Sequence, residues 1–230
     1  MTGVEITCLQ SFIDHGHDVR VYAYENCNAP AHFAIADAAA ILPESDVFLY
    51  KDGPGKGSIA GFANLFRYAL LSQTDQWWID ADIACLSPAW PTAKGPVAAA
   101  WEDERLVNCA VLSVDRVLAA ELLGSAQARG TDLQWGQTGP GLLTQVVRDK
   151  GLEDFMLDRR AFYPIHYTEW TKPFRGEEAA AVQAATAESY AIHLWNEMLR
   201  RNAFEKSRLS PGSFFAGLVA RHGTERYFTI

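Results

Sequence analysis

Cysteine is scarce and unpatterned in this chain. The four in 230 residues, Cys8, Cys27, Cys85 and Cys109, include no C-x-x-C pair. A zinc knuckle and a disulfide framework are therefore not expected, and a reducing cytoplasm is the simplest compartment. No apolar run approaches the ~20 residues that span a bilayer, and the start shows no charged leader followed by an apolar segment, so neither a membrane span nor a signal peptide is expected. Asn-x-Ser/Thr acceptor sites are also missing. Basic charge is short as well, with 20 Lys and Arg against 28 Asp and Glu and a net charge of -8. Nucleic acid is not an expected partner, because phosphate binding needs clustered cations. Arg200, Arg201, Lys206 and Arg208 come nearest to a patch. They read as a solvated helix end and the loop after it, the alternative being a weak contact with anionic lipid headgroups.

What is present suits one soluble domain over residues 1–230, since 49% hydrophobic and 21% charged residues can fill one substantial core. Periodicity predicts a helix over 4–13, a strand over 19–24, a short Ala-rich helix over 34–41 and a strand over 47–50. Asp52-Gly53-Pro54-Gly55-Lys56-Gly57-Ser58 resembles a phosphate loop, but Gly57 separates Lys56 from Ser58. It reads either as a flexible turn with Ser58 capping the next helix or as a ligand contact through Lys56. That helix, 58–72, has Ile59, Phe62, Phe66, Ala69 and Leu70 on its buried stripe. Asn64, Arg67 and Tyr68 share another face at i, i+3 and i+4.

The strand Trp77-Trp78-Ile79 then ends on Asp80-Ala81-Asp82. In an extended backbone these two carboxylates point the same way, and together they suit a hard divalent cation such as Mn²⁺ or Mg²⁺. Further on, strands are predicted over 97–101, 107–114, 162–167 and 189–195, with helices over 116–128 and from 139 to 150. Glu102, Asp103 and Asn108 flank the turn between the first two of these strands. The competing reading for that turn is simple solvation.

The order of helix, aromatic strand and acidic pair resembles the sugar-nucleotide glycosyltransferases of the GT-A fold. The likeness is nearest to the bacterial relatives of the α-1,4-glycosyltransferases, called glycosyltransferase family 32. It runs from residue 4 to about 222, most strongly over 53–88, then over 135–145 and 189–200. It implies an α/β, single-domain GT-A fold, Rossmann-like and nucleotide-sugar-binding. A strand precedes the first helix in that fold; it is missing here, so the sheet is expected to lack its first strand.

The same resemblance implies site residues. Asp80 and Asp82, with His193, would hold Mn²⁺ or Mg²⁺ on the donor diphosphate. Asn64, Arg67, Tyr68, Trp195 and Asn196 would bind the donor, Asn64 replacing the family's acidic residue. Glu102 or Asp103 would serve near the anomeric carbon. Trp135, Thr138 and Gly139 would lie on the acceptor side, where Trp135 stacks on a sugar ring or else sits in the core. The expected activity is metal-dependent, retaining transfer from a nucleotide sugar, a UDP-sugar first, to a surface glycan or glycolipid such as a polysaccharide or lipopolysaccharide precursor. This would take place in the cytoplasm, with at most peripheral contact at the inner face of the membrane. A non-catalytic nucleotide- or sugar-binding protein and a metal-dependent phosphohydrolase are the alternatives.

Overall fold

In the computed structural model, which describes residues 1–229, helices and short strands alternate along the chain. Helix α1 (Gly3–Asp14) precedes β1 (Arg20–Ala23) and β2 (Ala34–Asp37). Helix α2 (Ala60–Leu71) leads into β3 (Trp78–Ile79) and β4 (Ile83–Cys85). Then follow β5 (Val97–Trp101), β6 (Val107–Val114), α3 (Arg116–Ala128) and α4 (Pro140–Asp149). The last third holds α5 (Ala179–Ala185), β7 (Ala191–His193), α6 (Asn196–Arg201) and α7 (Phe214–Arg221).

The class is mixed α/β, as expected, but the strands hydrogen-bond into three small sheets rather than one. β1 and β2 pair in parallel, β3-β6-β5 is antiparallel, and β4 pairs antiparallel with β7. The largest apolar cluster lies where α2, α3 and α4 cover the β3-β6-β5 sheet, with Tyr68, Leu71, Leu112, Leu122 and Leu143 fully buried. Local chemistry fixes the ends of these helices. Asp115 Oδ1 accepts from Leu118 N at 2.7 Å to start α3, and Pro140 sits in the first turn of α4, where no N–H is needed. A second cluster joins α1, the β4-β7 pair and α7.

Several expectations are corrected. Residues 34–41 are not a helix: Ala34–Asp37 pairs with β1, and only Ala38–Ala40 forms a 3₁₀ turn. Residues 47–50 and 162–167 form no strand. Pro164 stands inside the latter and cannot donate to a ladder. On α2, Ile59 leaves the buried stripe, being 49% exposed, and it rather than Ser58 stands at the N-cap. No helix among the described residues is long and apolar enough to cross a membrane.

Glu5 ties α1 to the C-terminal region. Its Oε2 accepts from Thr2 N at 2.7 Å, while Oε1 accepts from Asn196 Nδ2 at 2.8 Å and Lys206 Nζ at 2.9 Å. Burial alone would raise its pKa, but a bond from the Thr2 hydroxyl to Oε2, with those from Lys206 and Asn196, prevails and holds it at about 2, against an ordinary 4.5. The carboxylate's folded-state pKa is depressed, so its stabilisation is present above pH 4.5 and lost as pH falls towards 2. About 2 kcal/mol of it should be gone at pH 3. Urea unfolding of native protein and Glu5→Gln at pH 7 and pH 3 measures this; the native protein should lose more, by about that amount.

Candidate functional site

The strand registers explain how distant residues meet. β3 pairs with β6 through Ile79↔Val111, and Asp80 N continues the ladder onto Ala110 O at 2.8 Å. β4 pairs with β7 through Ile83↔His193, and Leu194 N donates to Asp82 O at 2.9 Å. Asp80-Ala81-Asp82 is thus the link between two sheets. It is a tight turn, with Ile83 N donating to Asp80 O at 3.1 Å, and not the extended strand end expected from alternation. Both carboxylates nonetheless line one cleft of about 1590 Å³, together with Asn64, Arg67, Glu102, Asn108, His193, Trp195 and Asn196.

Asp80 and Arg67 form an ion pair in which the arginine is almost fully enclosed. Arg67, 3% exposed, donates from Nη2 to Asp80 Oδ1 at 2.6 Å, and Trp78 Nε1 donates to the same oxygen at 2.6 Å. Trp78 also lies under the guanidinium, 5.0 Å from ring centre to Cζ. Burial disfavours the Arg67 cation, but the Asp80 carboxylate more than offsets it and keeps the group charged. Arg67 Nη1 donates to Asn64 Oδ1 at 3.0 Å, and Asn64 Nδ2 donates to Thr138 Oγ1 at 3.3 Å. A Cβ at Gly139 would stand 2.7 Å from that Nδ2, so only glycine leaves room for the amide.

Asp82 is held from the other side. Its Oδ2 accepts from Asn196 N at 2.6 Å and partners His193 Nε2 at 3.1 Å. Trp195 makes the first bond possible. It adopts a left-handed backbone, φ 57°, which turns the chain so that the first amide of α6 meets the carboxylate. For a bulky residue this costs on the order of 1–3 kcal/mol, offset by its indole donating to Ile165 O at 2.9 Å and packing 4.0 Å from the His193 ring. Burial raises the Asp82 carboxyl, but the imidazole beside it wins and lowers it. Burial likewise works against the His193 cation, and Asp82, then Asp80 and Glu102, raise it.

Among the described residues no three of His, Cys, Asp and Glu converge as a metal cluster. The donor set fits a hard cation in kind. Asp80 keeps Oδ2, and Asp82 keeps Oδ1, free of hydrogen bonds to the described residues. His193 stands behind Asp82 as its hydrogen-bond partner and is not gathered with the pair as a third ligand. Its Nδ1 is buried without a partner.

The other expected residues divide. Glu102 is buried on the cleft wall, and its Oε2 accepts from Asn108 Nδ2 at 2.6 Å; burial raises its pKa and the amide only partly restores it. Asp103 is turned away, its Oδ1 accepting from Arg105 N and Leu106 N at 2.7 and 2.9 Å to shape the β5–β6 turn. Tyr68 is fully buried in the core and points its hydroxyl at Gly139 O, 3.5 Å away, so it does not face the cleft. Thr138 is buried behind Asn64 and reaches the cleft only through it. Trp135 is 39% exposed but lies between Tyr50 and Gly55 on one side and the Arg201 guanidinium on the other. Neither wholly core nor bare, it is a platform.

Sequence reasoning missed the rim cations. Arg200, Arg201 and Lys206, read as a solvated helix end, line the cleft mouth. Their charge run was visible; that α6 begins on Asp82 and so carries Arg200 and Arg201 to the site, and that Glu5 of α1 holds Lys206, was not. Tyr22, Phe62, Phe66 and Trp78 give the same cleft an apolar wall.

Residues 112–222 match the family model described as the alpha 1,4-glycosyltransferase conserved region. The chain is 36% identical over 77 residues to a human alpha-1,4-N-acetylglucosaminyltransferase, covering 28% of this chain and 22% of that protein. It is 30% identical over 82 residues to lactosylceramide 4-alpha-galactosyltransferases of human and chimpanzee (Pan troglodytes), covering 31% of this chain and 23% of each of those proteins. The matches thus span less than a quarter of these relatives' own lengths. No solved structure matches. The resemblance to α-1,4-glycosyltransferases drawn from the motifs is borne out.

Proposed function

We propose, for a chain related to the α-1,4-glycosyltransferases and a glycosyltransferase by that kinship, a metal-dependent and retaining transfer from a nucleotide sugar to a glycan or glycolipid acceptor. A UDP-sugar is the first candidate donor, residues 1–230 acting as one GT-A-like domain in the cytoplasm, at most peripheral to the membrane's inner face. The observation that carries the reading is the convergence of Asp80, Asp82, Arg67, Glu102 and His193 on one cleft.

Asp80 and Asp82 would hold Mn²⁺ or Mg²⁺, which when bound supplies Lewis-acid neutralisation of the leaving diphosphate. The chain's own groups do the rest. Arg67 fixes Asp80 through one carboxylate oxygen and leaves the other free. His193 and the Asn196 amide fix Asp82 in the same manner. Asn64, held by Arg67 and Thr138, offers its amide edge to the donor sugar. Glu102, steadied by Asn108, is the carboxyl suited to stand near the anomeric carbon as positive charge develops there. Asp103, spent on its turn, is not. The apolar wall limits water and so favours transfer over hydrolysis.

Calorimetric titration of UDP with and without Mn²⁺, alongside a UDP-release screen over common donor sugars, tests the reading. Binding that needs Mn²⁺ and turnover of one donor is the expected result. Binding without turnover of any donor would favour a non-catalytic nucleotide-binding protein, and no UDP binding under either condition would sink the proposal.

A further inference from the structure

The rim cations differ in how they are held. Glu197 Oε1 accepts from Arg201 Nε at 2.7 Å and from Arg200 Nη2 at 2.7 Å, while its Oε2 accepts from Arg200 Nε at 2.9 Å. Arg201 in addition lies over Trp135, 4.4 Å from Cζ to the ring centre. Trp135 is itself backed by Tyr50, with centroids 5.2 Å apart, and by Gly55, where a Cβ would stand 2.2 Å from the indole. The guanidinium is therefore anchored through one nitrogen and one face. Its Nη1 and Nη2 have no partner among the described residues, and Arg201 is part of the cleft lining. Arg200 Nη1 is likewise unpartnered and approaches Gly57, 3.9 Å from where a Cβ would be.

We infer that Arg201, seated on Trp135 and aided by Arg200, is an anion-recognising subsite for the acceptor: the sugar taking the new bond carries a carboxylate or phosphate. Two guanidinium groups share one carboxylate, which leaves a net positive rim in a chain of net charge -8. A pre-seated guanidinium presenting two parallel N–H groups matches a carboxylate or phosphate bidentately and gives a neutral hydroxyl much less. The position suits an acceptor rather than the donor diphosphate. α6 starts on Asp82 at Asn196, and four to five residues of helix carry Arg200 and Arg201 about 6–8 Å further along, roughly one sugar ring away. The inference rests on the transferase reading only in calling the bound sugar an acceptor.

The test measures binding of phenyl β-glucuronide and glucose 6-phosphate against methyl β-glucoside by ligand-observed NMR, without nucleotide, on the native protein, Arg201→Ala and Arg201→Lys. UDP and uridine titrations run in parallel on the same three proteins, with thermal melts to confirm folding. The native protein should prefer at least one charged sugar by about tenfold or more. Arg201→Ala should bring that preference close to one, and Arg201→Lys, which keeps the charge but not the fork, should recover only part of it. Equal binding of charged and neutral sugars, or a preference unchanged in Arg201→Ala, overturns the inference. So does a loss of UDP affinity, relative to uridine, that matches or exceeds the loss for the charged sugar, since the anion would then be the donor's diphosphate. Failure of UDP to bind the native protein strikes the transferase reading instead, and the charged-sugar preference is read independently of it.

Discussion

Asp82→Asn is expected to lower Mn²⁺-dependent UDP affinity about a hundredfold or more while leaving the protein folded. The two effects separate because Asp82 has two duties. One is structural: Oδ2 accepts from the first amide of α6 at 2.6 Å, which pins the end of β7 and the strained Trp195. An asparagine carbonyl can still accept there. The other is charge: the carboxylate holds the His193 cation and supplies half of the hard-oxygen pair. An amide oxygen is a weaker ligand and cannot hold the imidazolium. Asp82→Ala should lose both duties and also melt earlier, because the half-buried Asn196 amide is then left without its acceptor. Titrating UDP with and without Mn²⁺ and melting both variants distinguishes these results. Undiminished UDP affinity in Asp82→Asn would remove this residue from the proposed cation site.

How much was legible beforehand depended on where each signal resides. Bounds for β5, β6 and α3 are as periodicity predicts, since those segments carry their own patterns of apolar residues and an aspartate cap. The Ala-rich run after Phe33 has high helix propensity, yet Ala34–Asp37 forms a strand because β1 lies alongside to pair with it, and a neighbour outweighs propensity. Val47–Tyr50 has the composition of a strand and no strand to join, so it stays irregular. In the site, Asn64 and Arg67 are neighbours by helical spacing, and that local relation holds at 3.0 Å. By contrast, the choice between Glu102 and Asp103 turned on which carboxylate the β5–β6 turn consumes, and adjacent residues give no hint of that. Arg201 on Trp135 spans 66 positions and depends on the β4–β7 register, which no local pattern encodes.

Arg67→Met is the variant expected to cost most in stability, about 3 kcal/mol. The methionine preserves much of the buried volume, so packing loss is small; what is lost is the cation. Asp80 would keep its bond from Trp78 Nε1 but face the apolar wall without a counter-charge, and Asn64 Oδ1 would keep only the weak Cys109 thiol as a donor. Because the Asp80 side chain is 31% exposed, water relieves part of the penalty, which places the cost at the low end for a broken ion pair. Arg67→Met/Asp80→Asn should therefore be less destabilised than the two single changes added together, by about 1 kcal/mol or more, since removing both charges leaves neither stranded. Urea unfolding of the four proteins closes that cycle. The double variant should regain stability and not activity, because Asp80 fixed through one oxygen with the other free is what the proposed cation site needs. Strict additivity would instead mean that Arg67 and Asp80 act independently, and the guanidinium would then have no part in aiming the carboxylate.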